Sequence, residues 1–152
     1  MEMKNGHFYI GGIAVSELAA KYGTPTYVYD EQKIRANYRK VSETFRKYYP
    51  NFEMFYAVKS CNNPAIVNIL RQEGAGADCA SVNEILLAKS VGLEGEKVMF
   101  SGNFLSDDDI KQGLESGVFF VAYLDNLLAY FAYSSSTPSE QVVSKYPKNG
   151  SL

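Results

Sequence analysis

Histidine and cysteine are scarce in this chain, and each scarcity excludes a chemistry. His7 is the only histidine and lies alone near the N-terminus, so it is read as a surface residue and no metal site is expected. Two cysteines, Cys61 and Cys79, do not make a disulfide framework. No stretch approaches the roughly 20 apolar residues needed to cross a bilayer, so no membrane is expected. The opening "MEMKNGHFYIGG" has no apolar h-region of a secretory signal. Reduced thiols and a cytoplasmic location are the simplest expectation. Neither sign of charge dominates: the net charge is −2, and Lys and Arg are scattered without a basic stripe. A nucleic-acid partner is therefore not expected. What remains is globular composition, 46% hydrophobic and 21% charged, in 152 residues, enough for an ordinary domain with a real core.

From Asn51 to Asp125 one pattern recurs. A short apolar run is followed by polar punctuation, a helical stretch and a glycine. The runs are "FEMFYAV", "GAGADCA", "KVMF" and "VFFVAYL". Their centres lie about 22 residues apart, the size of a strand–helix unit with short loops. Runs apolar throughout suit parallel strands buried on both faces. Asn63 caps the first helix with Pro64 at its first position and Gly74 beyond its end. "SVNE" at Ser81–Glu84 reads as a capping box, with Gly92 ending that helix. "SDDD" at Ser106–Asp109 repeats the box and places carboxylates at the positive end of the helix dipole, and Gly117 closes it. Repeated units of this kind predict a parallel sheet with right-handed crossovers, open or closing into a barrel.

Upstream, Ile34, Tyr38, Val41, Phe45 and Tyr48 form one face of a long helix. "TPTYVYD" reads as a strand, "VSELAAKYG" as a short helix, and "HFYIGG" as a strand entering a glycine turn. After Asp125, "NLLAYFAY" reads as the start of a helix, and the chain from about Ser134 turns Ser-, Pro- and Lys-rich and is expected to be disordered.

In a parallel sheet the strand ends share one rim, where ligands bind in barrels and open sheets alike. Here that rim carries Lys59, Asp78, Ser101 with Gly102, and Asp125. On position alone two readings of Lys59 stay open. It is a strand-end lysine snorkelling to water, or a partly desolvated amine acting as a nucleophile toward carbonyls. Asp78 has a plain reading too, satisfying backbone donors at the strand end. Cys61 reads as a small buried filler, with a thiol made reactive by its lysine neighbour as the alternative, and Cys79 reads as a filler too.

"FYAVKSCNNPAIVNILRQEGAGADCASVNEILLAKSVGL" resembles the N-terminal barrel segment of the alanine-racemase-fold pyridoxal phosphate enzymes, closest to the diaminopimelate, ornithine and arginine decarboxylases. "GTPTYVYDEQKIRANYRKV" resembles the segment that leads into the barrel, and "KVMFSGNFLSDDDIKQGLESGV" resembles the next unit. The resemblance covers residues 7 to about 120. It implies that Lys59, ending a Tyr-Ala-x-Lys strand, is the Schiff-base lysine for pyridoxal 5'-phosphate. It implies that Gly76, Asp78 and Ser81 match a Gly-x-Asp-x-x-Ser stretch close to that cofactor, with Glu84 as the acidic residue that follows. The expected site is thus Lys59 as catalytic residue, with Lys59, Asp78 and Ala57 against the cofactor and no metal. At Cys61 the pattern departs, since relatives usually carry an asparagine there.

The fold expected from the resemblance is α/β: about the first four units of a (β/α)8 TIM-type barrel, preceded by a segment of a β-domain. Residues 1–29 would be that segment and the lead-in, 30–133 the partial cofactor-binding barrel, and 134–152 a disordered or aberrant tail. A complete barrel takes about 250 residues, so the chain is expected to be an N-terminal fragment, inactive alone. The expected activity of the parent is decarboxylation of a small-molecule amino acid. "TPTYVYD" and "SGNFLSDDDI" favour meso-diaminopimelate, giving L-lysine and CO2. Ornithine, arginine or carboxynorspermidine, favoured by "DCAS", is the alternative, as is a cofactor-binding remnant without turnover. Full-length relatives are expected to be homodimers with a shared active site.

Overall fold

The computed structural model of the chain describes residues 1–124 and 127–132, which fall into two units, Met1–Phe52 and a second beginning at Glu53. In the first unit, three short antiparallel strands, β1 (Glu2–Lys4), β2 (His7–Ile10) and β3 (Ile13–Ala14), pair in chain order. Two-residue turns join them. Asn5 and Gly6 (φ 48 and 78) and Gly11 and Gly12 (φ 58 and 82) all adopt left-handed backbone, which the twist of a tight hairpin demands. Helix α1 (Val15–Tyr22) follows, as its pattern predicts.

The expected strand at "TPTYVYD" does not form. Residues 26–30 carry no ladder, and Tyr27 is 92% exposed. Strand-favouring side chains report that a pleated surface would suit them, and a strand exists only where a neighbour pairs with it. Helix α2 (Glu31–Arg46) begins where the Asp30 carboxylate accepts from Lys33 N–H at 3.0 Å. Its expected apolar face is only partly buried. Tyr38 and Ser42 are the buried residues, whereas Val41 and Phe45 are exposed, the latter stacking on Phe52 at 4.7 Å.

The second unit holds a five-stranded sheet in chain order. Strands β4 (Phe55–Ala57), β5 (Gly76–Cys79), β6 (Val98–Phe100) and β7 (Phe119–Leu124) are parallel, and β8 (Leu127–Ala132) is antiparallel to β7. Helices α3 (Pro64–Gln72), α4 (Val82–Ser90) and α5 (Asp107–Glu115) fill the three crossovers. Each ends two residues before its predicted glycine. Asn63 caps α3, its side-chain oxygen accepting from Ala65 N–H at 2.9 Å. At α5 the capping box is complete: Ser106 Oγ accepts from Asp109 N–H, and the Asp109 carboxylate accepts from Ser106 N–H.

The Ser106 hydroxyl, which donates to the Asp109 carboxylate at 2.6 Å, and then the Ser106 N–H hold that carboxyl below the usual carboxylate range. A carboxylate favoured in the folded state stabilises it above the ordinary carboxyl pKa, and the gain is lost as pH falls through the lowered value. Ser106→Ala is expected to cost about 1 kcal/mol and to flatten this acid dependence of α5. Amide exchange of α5 against pH measures both effects.

Registration places Ala57 opposite Asp78, Asp78 opposite Met99, and Met99 opposite Phe119. Side chains alternate between faces along each strand. Ala77, Cys79, Val98, Phe100 and Phe120 therefore share one face, and there they join Val67, Ile85 and Ala88 of the helices in the buried core. Ala57, Asp78, Met99 and Phe119 share the opposite face, and all are half-buried. The expected burial on both faces is thus met on one only. Gly113 lets α5 approach closely: a Cβ there would lie 2.5 Å from Phe100 Cδ1 and Cε1.

The segment "NLLAYFAY" departs from expectation most sharply, since Leu127–Ala132 is strand and not helix. Its apolar and aromatic residues suit either structure, and pairing along all of β7 decides the outcome. The predicted disordered tail and Asp125 lie outside the described residues.

Candidate functional site

Because β4–β7 run parallel, their carboxyl ends define one edge, and the loops leaving it carry the chain's polar chemistry. Strand β4 stops at Ala57, earlier than expected. Val58–Ser60 form a 3₁₀ turn, closed by Ser60 Oγ donating to the Ala57 carbonyl (2.7 Å) and Cys61 N–H donating to the Val58 carbonyl (3.1 Å). Lys59 is therefore not the last residue of the strand but stands in the turn beyond it. Val58 is fully buried and anchors the turn, while Lys59 is exposed. The Tyr56 hydroxyl donates to the Cys61 carbonyl at 3.2 Å and straps the turn from the other side. The cap of α3 at Asn63 follows at once, which leaves the strand no room to continue.

On the neighbouring strand Asp78 is half-buried, and the Ser101 hydroxyl donates to its Oδ1. Asp78 therefore pairs with a side chain from the next strand end. Ser101 is itself held by its N–H, which donates to the Cys79 carbonyl at 2.9 Å. Gly102 follows in a tight passage, where a Cβ would meet Leu105 Cδ2 at 2.5 Å and the Ala80 carbonyl oxygen at 2.7 Å. Lys59, Asp78, Ser101 and Gly102 thus share the carboxyl edge, as the spacing predicts.

The predicted box at Ser81–Glu84 is only half made. Ser81 Oγ accepts from Glu84 N–H at 3.4 Å, but the Glu84 carboxylate accepts from Ala80 N–H, at 2.7 Å, one residue before the cap. Glu84 thereby fixes the β5–α4 corner. Sequence reasoning missed this and the Asp78–Ser101 bond. Strand parity held the signal for the bond, since Met99 pairs with Asp78 and Ser101, two residues on, points to the same face.

The cysteines differ. Cys79 is fully buried, and burial, helped by the charges of Glu84 and Asp78, pushes its thiol from 9.0 up to about 12. Cys61 is half-buried rather than the buried filler expected. Iodoacetamide at pH 8 is expected to alkylate Cys61 and to reach Cys79 only on unfolding, read by mass of the cysteine peptides. Because the folded thiol keeps its proton where the unfolded one loses it, Cys79 stabilises the fold fully below pH 9.0. That contribution falls as pH rises toward about 12. His7 is exposed on β2. Among the described residues no helix is long and apolar enough to cross a membrane.

Comparison with known proteins places this geometry in context. A family model, the pyridoxal binding domain of pyridoxal-dependent decarboxylases, matches residues 32–132. The chain is 43% identical over 113 residues to the diaminopimelate decarboxylase of Methanothermobacter thermautotrophicus, covering 74% of this chain and 26% of that protein. Its fold matches the crystal structure of diaminopimelate decarboxylase from M. jannaschii in complex with L-lysine, with a TM-score of 0.72 and 36% identity. That match covers 77% of this chain and 28% of the other. Lysine/ornithine decarboxylase from Vibrio vulnificus, complexed with putrescine, matches with a TM-score of 0.64 and 29% identity, over 74% of this chain and 31% of that one. The chain thus spans between a quarter and a third of the length of these relatives. With two thirds of its residues under the family model and its strand-end residues gathered on one edge, the chain belongs to the pyridoxal-dependent decarboxylases, through their pyridoxal-binding domain.

Proposed function

We propose that these residues form the N-terminal part of a decarboxylase acting on meso-diaminopimelate, releasing CO2 and leaving L-lysine. The observation that carries the reading is the exposed amine of Lys59 on the same edge as the half-buried carboxyl of Asp78. The names of the relatives support the substrate.

The donor set fits the aldehyde end of pyridoxal phosphate. A primary amine stands on a turn pinned by a buried valine, and a carboxylate braced by a hydroxyl lies one strand away. Bound there, the cofactor supplies a ring that withdraws the electron pair left when a substrate carboxyl departs as CO2. Lys59 would hold the aldehyde end of the cofactor through its primary amine. Asp78 orients the bound group, and Ala57, opposite Asp78, offers a small apolar surface beside it.

In this reading residues 30–133 are the first units of a (β/α)8 barrel, and residues 1–29 a β-domain segment and lead-in. Homodimer formation with a shared site and a cytoplasmic location belong to the same proposal. The 152 residues by themselves are expected to turn over no substrate. The ornithine reading is kept alive by the Vibrio vulnificus match and is separated by product analysis. The direct test is incubation with pyridoxal phosphate, borohydride reduction and peptide mapping. A pyridoxyl label concentrated on Lys59 is the expected result, and a label spread over surface lysines without preference refutes the site.

A further inference from the structure

We propose that Ser101 is the positioning residue for Asp78, fixing how that carboxylate is presented to a ligand bound at Lys59. The inference rests on the reading of the site above and adds a residue to it.

Asp78 and Ser101 are 23 residues apart in sequence, yet adjacent on neighbouring strand ends with their side chains on the same face. Ser101 has little freedom. Its N–H is bound to the Cys79 carbonyl, extending the β5–β6 ladder one step, and the Gly102 that follows runs so near Ala80 and Leu105 that a Cβ there would have no room. A hydroxyl on so fixed a backbone holds one oxygen of the carboxylate, Oδ1, by a charge-assisted hydrogen bond. Among the described residues no hydrogen bond engages the second oxygen. Oδ2 is therefore presented in a single orientation, with its lone pairs available to a cationic or protonated group. A carboxylate on a short side chain otherwise samples several rotamers, and restricting it beforehand lowers the cost of binding.

The test uses the chain with pyridoxal phosphate as probe. Ser101→Ala is expected to raise the dissociation constant, read by absorbance titration, about tenfold, the usual scale for a hydrogen bond to a charged group. Ser101→Thr, which keeps the hydroxyl, should restore it. In the Asp78→Asn background, Ser101→Ala should add less than about twofold, because a residue acting through Asp78 is not additive with it. A readout without cofactor accompanies these. The Hα–Hβ couplings of Asp78, distinct in the unaltered chain, should collapse toward rotamer-averaged values in Ser101→Ala. A full tenfold loss in the Asp78→Asn background, or unchanged couplings and affinity in Ser101→Ala while Lys59 is still labelled, overturns the inference alone. Absence of label on Lys59 in the unaltered chain overturns the site reading instead, and the Asp78 couplings then still decide whether Ser101 holds the carboxylate.

Discussion

Lys59→Ala is expected to remove the borohydride-trapped pyridoxyl label and, in a protein carrying the whole catalytic apparatus, to lower decarboxylation by at least about three orders of magnitude. Among the described residues of that edge Lys59 carries the one primary amine, the group that forms an imine with an aldehyde, so no neighbour substitutes for it. Lys59→Arg is expected to fail equally. A guanidinium keeps its proton and spreads its charge over three nitrogens, so retaining the positive charge does not retain the nucleophile. Stability should hardly move, within about 0.5 kcal/mol, since the side chain is exposed and the buried Val58 holds the turn. This separation of effects distinguishes a reacting lysine from a solvated one. A variant whose label persists on the remaining lysines at the original stoichiometry refutes the assignment.

The second large effect lies in the core. Phe100 is fully buried, packs edge-to-face on Phe120 at 5.2 Å, and receives Gly113 of α5 against its ring. Phe100→Ala removes that ring and is expected to cost about 3–5 kcal/mol, a large part of the stability of an ordinary domain. Gly113→Ala is also expected to destabilise, because its Cβ would lie 2.5 Å from two ring carbons that are walled in and cannot retreat. In the double variant the sign should reverse. With the ring gone the new methyl enters vacated space, and alanine in place of glycine gains up to about 1 kcal/mol of helix propensity. Urea midpoints of the four proteins close the cycle, and additive losses would show that Gly113 and Phe100 do not meet.

Much of this architecture was legible because its signals are local. Asn63 and Ser106 mark helix starts by hydrogen bonds that span two or three residues, and Pro64 by its fixed φ, and such signals hardly depend on the rest of the fold. The common edge for Lys59, Asp78 and Ser101 followed from repeated strand–helix units alone. Features that failed turn on pairing and packing that the segment's own residues do not fix. "TPTYVYD" has strand-like side chains and no ladder, whereas "NLLAYFAY" has a helix-compatible pattern and a ladder that overrides it. At Lys59 the apolar run continued past the strand's end, because Val58 stands in the turn and still enters the core with Ala77 and Cys79. The Asp78–Ser101 bond needed the β5–β6 register, which composition does not carry.

The reversed direction of β8 has a kinetic consequence. Its partner β7 ends two residues before it begins, so the pair is a hairpin, which closes in roughly 1–10 μs. A parallel neighbour for β7 needs a crossover of a dozen or more residues and forms later. The hairpin therefore claims the free flank of β7 first, with six paired positions from Phe119–Ala132 to Leu124–Leu127. Any parallel strand arriving at that flank must displace a completed ladder. Paired along all of β7, β8 occupies the flank where a fifth parallel strand would join the sheet.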